Sequence, residues 1–293
     1  MTDFSTKAHA KFILTGEHAV IRGHGAIVMP LKTKNIHLTF KKNTSKLKVN
    51  VFPDTEDGFN KIPMLLLERA ASLLGQDLSN IHGKITISSN IPAGKGLGLS
   101  AALCVVLTRL LVWWGWLDSK QLLGFATQLE NYFHHQSSGA DIIGVCSENA
   151  VKFNNIDDCE IIQAQWQPHL FLYYSGHASS TSICVKKVNS YVTQDVEHAR
   201  AIDSIMAMSV KNIAASLLSA QSVDTLAEEI TNAADCFRDW GLVPKFLEEK
   251  IRLLHDYGAV AVKPTGAGMG GFLLGLWAED PEPQYKKYLI ATG

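Results

Sequence analysis

The stretch PAGKGLGLSAA, Pro92–Ala102, places Gly94, Gly96 and Gly98 at i, i+2 and i+4, with Lys95 among them and Ser100 opening an apolar run. Glycines let a backbone turn tightly and present its N–H groups. A following helix N-terminus adds unpaired N–H groups and partial positive charge, so the combination suits an anion, usually phosphate. The spacing is neither that of a Walker loop nor Gly-x-Gly-x-x-Gly. Taken alone, the stretch is equally a tight strand-to-helix turn. Downstream, Glu130 and Asp141 stand 11 residues apart, the first in a helical pattern and the second behind the small-residue turn QSSGAD. Such a turn reverses the chain, so both carboxylates can converge on one site, one to bind Mg²⁺ and the other to take or orient a proton. Without further context they read as two exposed helix-end acids.

Three further stretches frame these residues. AKFILTGEHAVIRGHGAIVMPL (Ala10–Leu31) carries Lys11, Glu17 and His18; LENYFHHQSSGAD (Leu129–Asp141) holds the carboxylates; KPTGAGMGGFLLGL (Lys263–Leu276) is a second glycine loop. Read singly, Lys11 is a solvated charge before a strand, Glu17 and His18 are a turn held by side-chain hydrogen bonds, and the last stretch is a glycine-rich hairpin. In order along one chain, the four stretches resemble the GHMP kinases, whose central motif is approximately Pro-x-x-x-Gly-Leu-Gly-Ser-Ser-Ala. Pro92, Gly96, Leu97, Gly98, Ser100 and Ala101 match it, and Leu99 replaces the first serine.

The resemblance implies a two-lobed α+β fold, with a left-handed βαβ unit in the N-terminal lobe and a ferredoxin-like C-terminal lobe. It implies that Pro92, Gly94, Lys95, Gly96, Leu97, Gly98, Leu99, Ser100 and Ala101 form the ATP site. By the same likeness Ser100 and Glu130 ligate Mg²⁺, Asp141 is the catalytic base, and Lys11 reaches the reacting centre. Glu17, His18, Thr181, Gly266, Ala267 and Gly268 would border the acceptor. Gly-Glu-His-Ala-Val (Gly16–Val20) is most like mevalonate kinases. So is the pattern Glu, then His-Gly-x-Pro-Ser-Gly-x-Asp, in which His134, Ser138, Gly139 and Asp141 match while His135 replaces Gly and Ser137 replaces Pro. In the third motif Met269 replaces a glycine. Near Thr181, where mevalonate kinases carry Ser/Thr-Thr-Arg, this chain has Ser180, Thr181 and Ser182, so the acceptor's anionic group lacks its expected arginine. Phosphomevalonate and sugar kinases of the family, its decarboxylase branch and a non-catalytic relative are the alternatives.

The elements that must position these residues are legible as patterns. Strands are predicted over AKFILTGEH, at Ile36–Phe40 and Leu47–Val51 (read as a hairpin), over KITISSN, ENAVKF and HLFLYYSG, and on both sides of the second glycine loop. Helices are predicted at IPMLLLERAASLLG ending near Gly75, from about Ser100, over KQLLGFATQLENYFHH with Ser119 as cap, and at Val196–Ala220, Val223–Trp240 and Pro244–Tyr257. Polar NNIDDCE breaks the pattern, giving an N-terminal, ATP-binding domain over 1–165 and a C-terminal domain over 166–293.

Composition bounds the rest. The 293 residues are 46% hydrophobic and 19% charged, enough for a sizeable core. A net charge of −1 shows no basic excess for nucleic acid. The Lys41–Lys48 run reads as a solvated hairpin turn. Cys104, Cys146, Cys159, Cys184 and Cys236 show no metal spacing and predict reduced thiols in a cytoplasmic protein. Leu97–Leu117 imitates a membrane span, but Arg109 interrupts it and a glycine loop leads into it, so a buried helix and no membrane partner are expected. The expected partner is a small hydroxylated acceptor; homodimers are common in the family.

Overall fold

The computed structural model describes residues 3–52, 59–133, 137–219 and 222–292. In chain order its elements are β1 (Phe4–Thr15), β2 (Ala26–Lys46), β3 (Lys48–Phe52), α1 (Ile62–Leu74), β4 (His82–Ser89), α2 (Leu99–Trp113), α3 (Leu122–Glu130), α4 (Ala140–Cys146), β5 (Ala150–Asn155) and β6 (Asp158–Ile162). They continue with β7 (His169–Tyr174), α5 (Thr181–Gln194), α6 (Val196–Leu218), α7 (Val223–Asp239), α8 (Lys245–Asp256), β8 (Ala261–Thr265), β9 (Phe272–Trp277), α9 (Pro283–Lys286) and β10 (Ile290–Ala291). The mixed α+β architecture follows the expectation from sequence.

One sheet has the order β3-β4-β2-β5-β6, with β1 also pairing β2; a second, antiparallel, has the order β10-β7-β9-β8. The first is built from residues before 163 and the second from residues after 168. A single apolar core nevertheless crosses between them, joining Leu14, Ile27 and Ile36 to Leu172, Phe272 and Leu274.

Local sequence explains most boundaries. In β1, side chains alternate between half-buried and exposed up to Lys7, then run almost continuously buried, because from Ala8 onward both faces are covered. Pro63 opens α1, and Gly75 closes it in the left-handed region, with φ of 63°. Ten of the fifteen residues of α2 are buried, which makes it a core helix rather than a span. Arg109 leaves the apolar helix by donating to the Lys7 carbonyl at 2.6 Å. Among the described residues, α6 alone is long and apolar enough to cross a membrane; half of that stretch is buried within the fold.

Several boundaries differ from the sequence reading. The strands at Ile36–Phe40 and Leu47–Val51 are not a hairpin: β4 lies between them, antiparallel to β2 and parallel to β3. Alternation marks a strand but not its neighbour, and a parallel pair needs a crossover, which α1 supplies. The Lys41–Lys48 run is therefore the end of β2 and the step to β3. Asp118, not Ser119, makes the capping box before α3, and α3 ends at Glu130, three residues before Phe133. NNIDDCE is a hairpin, because β6 pairs antiparallel with β5. His134 and His135 lie outside the described residues, as does Ala220.

Candidate active site

Lys11 is 3% exposed in the middle of β1 and is fixed from both sides. Its amide donates to the Leu97 carbonyl at 3.1 Å, which ties the glycine loop to the strand. A Cβ on Gly98 would lie 2.9 Å from Lys11 Cγ, and one on Gly144 would lie 2.4 Å from Val28 Cγ1 and 3.1 Å from Lys11 Cβ. Both glycines are thus needed for the close approach of the loop and α4 to the lysine stem. Gly94, Gly96 and Gly98 all have left-handed φ, between 66° and 80°. Space is open where Cβ atoms on Gly94 and Gly96 would project.

Gly98 ends the loop as the N-cap of α2 and offers no side-chain cap, leaving the first amides of the helix available. Ala102 N–H already bonds the Gly98 carbonyl, so the free ones are those of Leu99, Ser100 and Ala101. Leu97 and Ala101 are buried in the core, so their contribution to an anion site is confined to the backbone, while Pro92, Lys95, Leu99 and Ser100 are half-buried at its rim.

The carboxylates do converge on Lys11. Asp141, in the first turn of α4 and one-third exposed, accepts an ion pair from Lys11 Nζ at 2.7 Å. Glu130, at the end of α3, is 1% exposed. Ser137 Oγ donates to Glu130 Oε2 at 2.6 Å and accepts from the Gly139 amide at 3.2 Å, while the Ser137 amide bonds Asn131 Oδ1. The residue that replaces the family's proline therefore builds the turn by hydrogen bonds and orients the buried carboxylate. Burial pushes the Glu130 carboxyl up to about 7, with the Asp141 charge adding to the shift; the Ser137 bond and Lys11 oppose it.

Glu130 Oε1 is buried without a hydrogen-bond partner. An acid so placed suits a hard cation, which would relieve both the desolvation and the repulsion from Asp141. Among the described residues no three His, Cys, Asp or Glu side chains group as a metal site.

The second glycine loop faces the Gly-Glu-His turn. Gly16 has φ of 100°, and a Cβ there would strike Ala26 Cα at 2.4 Å, so the turn requires glycine. His18, itself at φ 60°, donates from Nε2 to the Ala267 carbonyl at 2.9 Å and meets Phe237 and Trp240 edge-on. Burial lowers its pKa to about 4, so the ring is neutral at pH 7 with its proton on Nε2. Glu17 forms an ion pair with Lys263 at 2.5 Å, both fully enclosed. Burial drives Glu17 up and Lys263 down, against their mutual attraction and against the Gly266 amide beside the carboxylate.

Thr265 adds a two-way bridge, donating to the Ile13 carbonyl at 2.8 Å and accepting from its amide at 3.2 Å. Ser179 and Cys184 donate to the Gly268 carbonyl, at 2.5 and 3.4 Å. Met269 keeps a left-handed φ of 57° where the family has glycine, a conformation that costs roughly 1–2 kcal/mol for a residue with a Cβ. Thr181 opens α5 with an exposed side chain, and Ser182 is exposed beside it. Lys186 and Lys187 lie on an exposed helix face, and Lys187 is engaged by the Gly241 carbonyl.

Lys263, Ser137 and Gly144 escaped the sequence reading. A lysine that opens a glycine motif gives no sign of burial, and a serine in a small-residue turn gives none of its acceptor.

The profile of the GHMP kinases N terminal domain matches residues 65–148, from within α1 to just beyond α4. A mevalonate kinase of Archaeoglobus fulgidus is 27% identical over 282 residues, spanning 95% of this chain and 94% of that protein. One of Pyrococcus horikoshii is 25% identical over 300 residues, spanning 92% and 87%. In fold, the chain matches the crystal structure of L. major mevalonate kinase in complex with R-mevalonate, with a TM-score of 0.80 at 22% identity over 95% of this chain and 88% of that one. The chain is thus similar to the GHMP kinases over residues 65–148 and to mevalonate kinases along most of its length, and its four motifs stand in the same order, with Lys11 and Asp141 paired at 2.7 Å.

Proposed function

We propose that this protein is an ATP-dependent kinase that transfers the γ-phosphoryl group to a hydroxyl of mevalonate, giving 5-phosphomevalonate for isoprenoid precursor synthesis. The observation that carries the reading is the 2.7 Å Lys11–Asp141 pair, seated between the glycine loop and the buried Glu130. The amides of the loop and of the α2 N-terminus cradle the ATP phosphates. Glu130 and Ser100 would hold Mg²⁺, which supplies charge neutralisation on the β- and γ-phosphates. Asp141 orients the acceptor hydroxyl and takes its proton. Lys11 holds Asp141 in place and stabilises the alkoxide as it forms. Positioning and electrostatics supply the rate, with turnover of about 1–100 s⁻¹ for such enzymes.

On the side that the family likeness assigns to the acceptor, neutral His18 is tied to the loop Gly266–Gly268 through the Ala267 carbonyl. Mevalonate is favoured by the Gly-Glu-His-Ala-Val turn and by the relatives named above. Five free thiols accord with action in the cytoplasm. Residues 1–165 would act as the ATP-binding domain and 166–293 as the second, with homodimerisation as the assembly carried over from the family.

The test is ADP release from Mg-ATP against mevalonate, 5-phosphomevalonate, homoserine and several sugars, with products identified by mass. A phosphate-mass gain on mevalonate alone supports the reading. A gain only on 5-phosphomevalonate or a sugar overturns the acceptor, and CO₂ release with ADP moves the chain to the decarboxylase branch.

A further inference from the structure

Lys95 is a cation set in the middle of the glycine loop, between Gly94 and Gly96, whose left-handed backbones leave open space on the side where a Cβ would project. No carboxylate pairs with it among the described residues. Its ammonium instead rests 3.8 Å from the centre of the Tyr174 ring. Tyr174 ends β7 in the second sheet and packs on Phe272 with ring centres 5.3 Å apart. The next residue, Ser175, donates its amide to the Gly271 carbonyl. Gly271 in turn lies against the loop, since a Cβ there would come within 3.9 Å of the Lys95 carbonyl. Lys95 therefore meets the second glycine motif through its backbone and the end of β7 through its side chain.

We propose that Lys95 is the charge partner of the bound polyphosphate and that Tyr174 is its resting place when the loop is empty. The proposal rests on the kinase reading and deepens it. A cation over an aromatic face at a half-buried site is a weak contact, whereas a charge-assisted hydrogen bond to phosphate is among the strong ones. A polyphosphate entering the amide cradle therefore draws the ammonium off the ring. Leu97, two residues on, is fixed by Lys11, so the stem pivots on a loop already anchored to the strand. Nucleotide binding thereby releases the side-chain tie between the loop and β7. Lys95 is a positioning residue for ATP, not a group that touches the acceptor.

The experiment is calorimetric titration of the full chain with a non-hydrolysable ATP analogue at low and high salt, with the acceptor KM measured alongside. Lys95→Met should weaken the analogue about 10- to 100-fold and flatten its salt dependence, with the acceptor KM unmoved. Lys95→Arg should restore most of the affinity. Tyr174→Leu removes only the resting contact and should tighten the analogue about two- to fivefold, while Tyr174→Phe should match the parent. Unchanged affinity in Lys95→Met overturns the assignment. So does a loss in Tyr174→Leu as large as that in Lys95→Met, which would make the contact a structural brace. A parent chain that binds no nucleotide overturns the kinase reading itself, an outcome distinct from either of these.

Discussion

Lys263 on β8 reaches Glu17, in the turn after β1, through an ion pair of 2.5 Å from which water is excluded on all sides. The two residues are far apart in sequence, Lys263 on a strand of the second sheet and Glu17 just past the end of β1 in the first. Their pair fixes the second glycine motif against the Gly-Glu-His turn that carries His18. Taking both charges out of water is costly, and their attraction offsets that cost only while both are present. Lys263→Met alone, or Glu17→Gln alone, should lower the unfolding free energy by about 3–5 kcal/mol. The double variant Glu17→Gln with Lys263→Met should lose much less, since no uncompensated charge remains. Urea unfolding of the four proteins reads the coupling; additive losses would show that the pair does not act as a unit.

Asp141→Asn should abolish turnover while ATP still binds, because asparagine keeps the shape but cannot take a proton. The Lys11 contact at 2.7 Å would also lose its charge. We expect a fall of about 10²–10⁴ in kcat, the range of a positioned general base, with nucleotide affinity within a few-fold of the parent. Near-normal kcat would remove Asp141 from the mechanism.

Much of this site was readable before the fold. The glycine loop stands out because special backbone angles call for glycine, whereas Lys11 and the two carboxylates are singled out by the resemblance of four motifs in order and not by any local mark of burial. The Ser137 bond to Glu130 left none, since any small polar residue looks alike in a turn. The position of β4 between β2 and β3 was equally hidden, because periodicity reports which face is buried and not which strand is adjacent. The long-range contacts of Lys263 and Thr265 depend on how the two sheets meet, which no local pattern encodes.

Glu130 should make the metal-free protein sensitive to pH in a specific direction. Its native carboxyl holds a proton up to about 7, while in the unfolded chain it ionises near 4.5. Between those values the native state binds more protons, so stability falls as pH rises and levels off above 7. The difference amounts to about 3 kcal/mol. Glu130→Gln should remove that decline, so that the variant gains on the parent from pH 4.5 to 8 without added metal. Parallel unfolding curves for variant and parent across this range would contradict the assignment. Ser100→Ala should raise the Mg²⁺ concentration needed for half-maximal rate. An unchanged Mg²⁺ titration would refute Ser100 as a ligand.

His18 gives the opposite slope. Its pKa falls from 6.5 to about 4 on folding, chiefly through burial against Phe237 and Trp240. The unfolded chain therefore binds a proton first as pH drops. Stability contributed by the neutral ring is complete above 6.5 and is lost progressively as pH falls through 4, by about 3 kcal/mol in all. His18→Gln can keep the bond to the Ala267 carbonyl through its amide but cannot titrate. Its unfolding free energy, measured from pH 7 to 4, should decline less steeply than that of the parent. Equal slopes would mean that the acid sensitivity of the fold lies elsewhere than in His18.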